Sequence, residues 1–453
     1  MKLKIQFLGA AGTVTGSRYL LSYGNTHVLI DCGLFQGVKN LRERNWSPLP
    51  FPADQIDAVI LTHAHLDHSG YLPRLIREGF KGPVYCSAGT RALAEILLPD
   101  SGHLQEEDAR RANRHHYTKH NPAEPLYSEE EALQSLALLQ PQPFRTGFAI
   151  GNLRVRFTPA GHILGAACVH IETDNRTLTF SGDLGRPNEL IMLPPEPVQR
   201  ADYLILESTY GDRLHPASDP KSRLTEIINQ TAAQGGVVMI PAFAVGRAQD
   251  ILLLLTQLRT EGKIPAIPIY LDSPMAIDVT DLFNRFVGEH RLSRAQCAAV
   301  FKSVIYTREQ EESKRISADS LPKIIVAGAG MLTGGRILHH LRAFGGDPRN
   351  TIIIAGYQAP GTRGAALLAG TETLRIFGED VRTRCRVELI EELSAHADYA
   401  EITEWLKNFE QSPRTVFITH GEPIAADHLR QVIERNFGWN VVIPEMAQEF
   451  ALS

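Results

Sequence analysis

Residues 58–68 read AVILTHAHLDH, an apolar run that ends in four ionisable side chains, His63, His65, Asp67 and His68. In an extended segment residues two apart point the same way, so His63 and His65 can grip one ion together. Asp67 and His68 follow as the chain turns toward a helix, where they can aim at a neighbouring point. Imidazole nitrogen suits zinc, and a carboxylate adds a harder oxygen donor and offsets charge. Three distant fragments repeat this grammar of an apolar strand followed by a ligand. They are Gly161-His162 after RVRFTPA, Ser181-Gly182-Asp183 after TLTF, and His420-Gly421 after TVFIT. The glycine beside each ligand is expected to let the backbone approach an ion closely. Five histidines and two aspartates are too many for one tetrahedral ion. A two-metal site follows, with a carboxylate bridging ions about 3.5–4 Å apart.

Outward from this string, the first third of the chain reads as strands joined by short turns. KLKIQFLG, RYLLSYG and NTHVLIDCG alternate or run apolar, and Gly24-Asn25 and Asp174-Asn175 fall where hairpin turns belong. The rhythm changes after Gly211. Helical stretches near Arg223–Gln234 and Arg247–Glu261 alternate with the apolar runs GGVVMIPAF, IPIYLDSP, KIIVAGAG and NTIIIAG. Unalternating strands spaced by amphipathic helices are the pattern of a parallel, doubly wound sheet. RTVFITHGEP then returns to the earlier style. The expected division is a first domain of residues 1–210 completed by 385–453, with an α/β domain of residues 211–384 inserted between them.

Composition agrees with such a molecule. The 453 residues carry a net charge of −5, with 43% hydrophobic and 21% charged residues, which excludes a disordered chain. The runs AVIL and ILLLL are far below the roughly 20 residues of a membrane span. Five scattered cysteines without a CxxC pair point to a reducing, cytoplasmic setting. The mild acidity argues against coating nucleic acid by bulk charge and leaves room for a nuclease with a local positive surface.

Taken together, HAHLDH, the upstream Asp31, the lone His162, SGD and the terminal HG resemble the metallo-β-lactamase superfamily. More narrowly, LESTYG with Glu207, SAHAD with His396 and THG with His420 match motifs A, B and C of the β-CASP nucleases. That is the RNA-processing branch similar to the nuclease subunit of the cleavage and polyadenylation specificity factor and to RNase J. The resemblance implies an α/β chain, an αββα metallo-β-lactamase sandwich with an inserted doubly wound parallel-sheet β-CASP domain. It also implies two zinc ions per chain and a ribonuclease, endo or exo, acting on single-stranded RNA. Carried onto this sequence, His63, His65 and His162 would hold one zinc, Asp67, His68 and His420 the other, and Asp183 would bridge them. Asp31 would orient ligands from behind. His396, Glu207 and Asp67 would be catalytic, with a hydroxide activated by both metals and His396 protonating the leaving oxygen. A homodimer is compatible with the sequence, and no membrane partner is expected.

Substrate grip is less legible. Gly330 in AGAG could offer backbone N–H groups to phosphates, or simply serve a turn. Arg247 and Arg336 stand near helix starts and could meet a nucleic-acid backbone or form structural ion pairs. Ser394, two residues before His396, is a further candidate for a terminal phosphate. The charged stretch LQEEDARRANRHHYTKHN at 104–121 reads as a solvated helix and loop, or else as a lid with Arg110, Arg111, Arg114 and Lys119.

Overall fold

The computed structural model describes residues 2–115, 118 and 120–453. Its chain divides into two compact units, Met1–Leu214 with His396–Ser453, and His215–Ala395.

The first unit is built on two seven-stranded sheets. Strand Leu3–Phe7 (LKIQF) alternates buried and half-buried positions, as a strand with one face on a core must. It pairs antiparallel with Tyr19–Tyr23, which turns through Gly24-Asn25 into Thr26–Ile30, so the expected hairpin is present. Ala58–Ile60 and Val84–Cys86 continue this sheet in parallel. The second sheet contains Leu153–Pro159, Ala167–Glu172 and Thr177–Phe180 as an antiparallel meander, with the expected turn at Asp174-Asn175. Tyr203–Glu207 and Thr415–Thr419 then add in parallel. The two sheets share one apolar core, where Phe7 meets Phe417 at 5.2 Å between ring centroids and Tyr19 meets Phe180 at 5.9 Å. Helical residues such as Leu72, Leu75, Ala94 and Leu98 form a second core on the outer face of the first sheet. Helix Pro423–Phe437 lies against Thr415–Thr419 of the second sheet. This is the αββα layering expected, since each sheet has an apolar face to cover on both sides.

The second unit holds a six-stranded, all-parallel sheet. Its central strands Val238–Pro241, Ile324–Ala327 and Thr351–Ala355 are buried at every position, which explains why they run apolar without alternation. The expected helices Pro220–Ala233 and Arg247–Thr260 stand before and after Val238–Pro241 in the chain. One boundary moves. Arg386–Ile390, expected in the completing segment that starts at 385, pairs instead with Thr351–Ala355 as a strand of this sheet. Arg110, Arg111 and Arg114 lie on helix Ala88–His115 with exposed side chains, and Lys119 lies outside the described residues. Among the described residues no helix is long and apolar enough to cross a membrane. All five cysteines are free and buried.

Candidate metal centre and active site

Strand direction assembles the centre. Thr177–Phe180, Tyr203–Glu207 and Thr415–Thr419 run parallel as neighbours, so their C-terminal ends emerge side by side. Asp183, Glu207 and His420 sit at those ends. Leu153–Pro159 runs the same way two strands over and delivers His162 to the same edge. From the first sheet, Ala58–Ile60 leads to His63, and a single helical turn, Leu66–Ser69, presents Asp67 and His68.

The seven expected ligands converge in two groups. His63 Nε2 and His162 Nε2 lie 3.1 and 3.2 Å from His65 Nδ1, and each lies 3.5 Å from Asp183 Oδ2. His68 Nε2 is 3.1 Å from His420 Nε2 and 3.2 Å from Asp183 Oδ1, while His420 Nε2 is 3.5 Å from Asp67 Oδ2. Ligands at 2.0–2.1 Å from a tetrahedral ion are separated by about 3.3 Å, so these spacings are those of donors arranged around an ion. The two oxygens of Asp183 face different groups, as a bridging carboxylate requires. Asp183 Oδ1 is also buried and accepts no hydrogen bond of proper geometry, a costly state that a cation relieves. The residues therefore fit two divalent ions.

Electrostatics fit the same role. Burial holds the His63 imidazole well below its ordinary range and pushes His65 down to about 4, so both keep free lone pairs near neutral pH. Burial opposes ionisation of Asp183, but His420, His68 and His63 hold its carboxyl well below the usual range. Burial also opposes the charge on Asp67, which its hydrogen bond with His420 helps bring down to about 2.

Behind the ligands stands a ring of orienting groups. Asp31 Oδ2 lies 2.7 Å from His68 Nδ1, and the carboxylate accepts hydrogen bonds from Thr62 N and Thr62 Oγ1 at 2.7 and 2.9 Å. Thr209 Oγ1 is 3.0 Å from His420 Nδ1, which leaves Nε2 free to face the ligand group. His420 itself sits at φ 50°, and its N–H is tied to the Ala10 carbonyl at 2.8 Å. Thr62 and Thr209 do not stand out in the sequence, although each sits beside a ligand or motif residue. The glycines also need reinterpreting. A Cβ on Gly421 would stand 2.1 Å from Ser208 Oγ, one on Gly161 2.6 Å from the Leu193 carbonyl, and one on Gly182 2.8 Å from Thr62 Cβ. They let neighbouring strand-end loops pack together, which is a different need from approach to an ion. Asp31→Ala removes the partner that fixes His68, and is expected to weaken metal retention by about 10–100-fold, read by competition with a chelator.

His396 completes the arrangement. It precedes helix Tyr399–Leu406, which Asp398 caps, and the Ala397 N–H donates to the Leu184 carbonyl at 2.8 Å. Its Nδ1 lies 3.1 and 3.2 Å from the two oxygens of Glu207, and its Nε2 is 4.0 Å from Asp183 Oδ2. Burial works against the imidazolium, yet the Glu207 carboxylate raises His396 to about 9. Glu207 is buried and also accepts from Leu184 N and Thr209 N, so its position is over-determined.

The expected substrate residues fall in the second unit and divide there. Arg336 is engaged in an ion pair with buried Asp272 at 2.6 Å and donates to the Thr307 and Arg308 carbonyls. A Cβ on Gly330 would stand 2.7 Å from the Phe243 ring, so this glycine serves packing. Ser394 is buried after the short turn Glu391–Leu393. Arg247 opens helix Arg247–Thr260 and is buried.

Comparison with known proteins agrees with these features. Residues 11–231 match the metallo-beta-lactamase superfamily, residues 248–367 the Beta-Casp domain, and residues 380–444 the Zn-dependent metallo-hydrolase RNA specificity domain. The chain is 40% identical over 428 residues to Ribonuclease TTHA0252 of Thermus thermophilus, covering 93% of each. It is 32% identical over 473 residues to the transcription termination factor FttA of Pyrococcus abyssi, covering 98% of this chain and 70% of that one. It also resembles a solved structure of a protein of unknown function from Enterococcus faecalis, with a TM-score of 0.57, 14% identity and full coverage of both chains. At that identity the likeness shows the fold alone.

Proposed function

Since the chain belongs to the metallo-β-lactamase superfamily, in its β-CASP branch, we propose that it is a zinc-dependent ribonuclease hydrolysing phosphodiester bonds of single-stranded RNA, with His396 as general acid. The observation that carries this is Asp183, whose two oxygens face separate ligand groups while the His396 ring stands alongside. The similarity to a ribonuclease runs over 93% of both chains at 40% identity, which supports the ribonuclease reading. The RNA specificity domain supports RNA as the substrate class. The buried free cysteines support a cytoplasmic setting.

His63, His65, His162 and Asp183 would hold one ion, and Asp67, His68, His420 and Asp183 the other. Such ions, when bound, acidify water and neutralise charge developing on a phosphoryl oxygen. The remaining work belongs to side chains. Water oxygen forms a bond to phosphorus as the bond from phosphorus to the ribose oxygen breaks. His396 Nε2 gives its proton to that departing oxygen, and the proton the water sheds passes to bulk solvent. Glu207 holds Nδ1 and so keeps Nε2 directed at the centre.

One RNA labelled separately at its 5′ and 3′ ends tests this reading. Zinc-loaded protein is expected to cleave it, a chelator to stop cleavage, and added zinc to restore it. The two labels also separate endonuclease from exonuclease action. Hydrolysis of an acyl-thioester with no RNA cleavage would overturn the assignment.

A further inference from the structure

Several arginines of the second unit are paired with carboxylates. Arg336 meets Asp272, Arg223 and Arg386 meet Glu388, and Arg308 meets Asp278. Arg247 is buried without such a partner. Only 8% of it is exposed, its Nε and Nη1 are buried without a hydrogen-bond partner, and no carboxylate among the described residues lies within ion-pair distance. A guanidinium keeps its charge on burial, so an unpaired one is costly until an anion arrives. The guanidinium lies against the backbone of a glycine. Gly356 has φ 78°, and a Cβ there would stand 3.2 Å from Arg247 Nη2, with Ser394 Cα 3.8 Å from the same point.

We propose that Arg247, seated against the backbone of Gly356, is a phosphate-binding subsite of the second unit that takes a backbone phosphate of the RNA. This inference rests on the ribonuclease reading for the identity of the ligand. The anion site itself rests on the orphaned guanidinium. Planar N–H donors match the non-bridging oxygens of a phosphate, and each such charge-assisted contact adds affinity together with salt dependence.

The test uses zinc-loaded protein carrying His396→Ala, so that RNA stays intact, with and without Arg247→Gln. Equilibrium binding of a short single-stranded RNA is measured across a salt series. Arg247→Gln is expected to raise Kd about tenfold or more and to flatten the salt slope by about 0.7. Arg247→Lys, which keeps charge but loses the planar fork, should fall between. Gly356→Ala should weaken binding by crowding the guanidinium. In phosphate-free buffer the melting temperature of Arg247→Gln should equal or exceed that of its parent, because an unpaired buried charge is removed. Inorganic phosphate should then stabilise the parent and not the variant. Unchanged Kd and salt slope with a lowered melting temperature would mark Arg247 as structural and overturn the subsite. If the unsubstituted protein cleaves no RNA, yet phosphate stabilises it in an Arg247-dependent way, the anion site stands and the ribonuclease reading falls. If it cleaves RNA and Arg247→Gln changes neither binding nor stabilisation by phosphate, the ribonuclease reading stands and the subsite falls.

Discussion

Asp183→Ala is expected to empty both metal positions at once, taking zinc from two ions per chain to nearly none. The side chain would be shared by both proposed ligand sets, since Oδ2 lies 3.5 Å from His63 and His162 and Oδ1 3.2 Å from His68. Its loss leaves three donors on each side, crowded histidines and no negative charge between them. Metal chemistry contributes several kcal/mol of charge stabilisation, so RNA cleavage should fall by about 10⁴-fold or more. Metal analysis after gel filtration, beside a cleavage assay and a melting curve, reads the outcome. Retention of both ions by a folded variant would refute the bridge. Loss of one alone would mean that Asp183 belongs to a single ligand set.

His396→Ala should produce the complementary result, a large loss of turnover with both ions kept. The ring lies beside the ligand groups without belonging to either, since its Nδ1 is occupied by Glu207 and its Nε2 stands 4.0 Å from Asp183. Removing a general acid costs about 10²–10⁴-fold in kcat, and KM should move little by comparison. Glu207→Gln is expected to lose part of that factor, because an amide still fills the space but no longer holds an imidazolium. A leaving group that needs no proton, such as p-nitrophenolate in an activated phosphodiester, should recover much of the lost rate in His396→Ala. Failure of that rescue, or loss of zinc from the variant, would mean that His396 acts as a ligand and not as an acid.

Strand-end ligands are readable in sequence because each follows a strand-like run and carries a side chain with little other use there. SGD and THG need only the knowledge that parallel neighbours end together, whereas HAHLDH comes from the other sheet. The orienting hydroxyls of Thr62 and Thr209 are not readable, because threonine at a strand end is ordinary and only the fold brings Asp31 and His420 to them. The arginines show the same limit from the other side. Arg247 and Arg336 look alike in sequence, and Asp272, far away in the chain, decides that Arg336 is paired. The segment Arg386–Ile390 misleads for a local reason. It is an edge strand of the sheet whose Arg386 and Glu388 form ion pairs, so it lacks the apolar run of its partner Thr351–Ala355.

Anomalous diffraction at the zinc edge, from crystals of the protein purified with zinc, bears most directly on whether seven side chains form one dinuclear centre. Two peaks are expected, one among His63, His65 and His162 and one among Asp67, His68 and His420, with Asp183 touching both. A single peak, or a peak anchored on other residues, would contradict it.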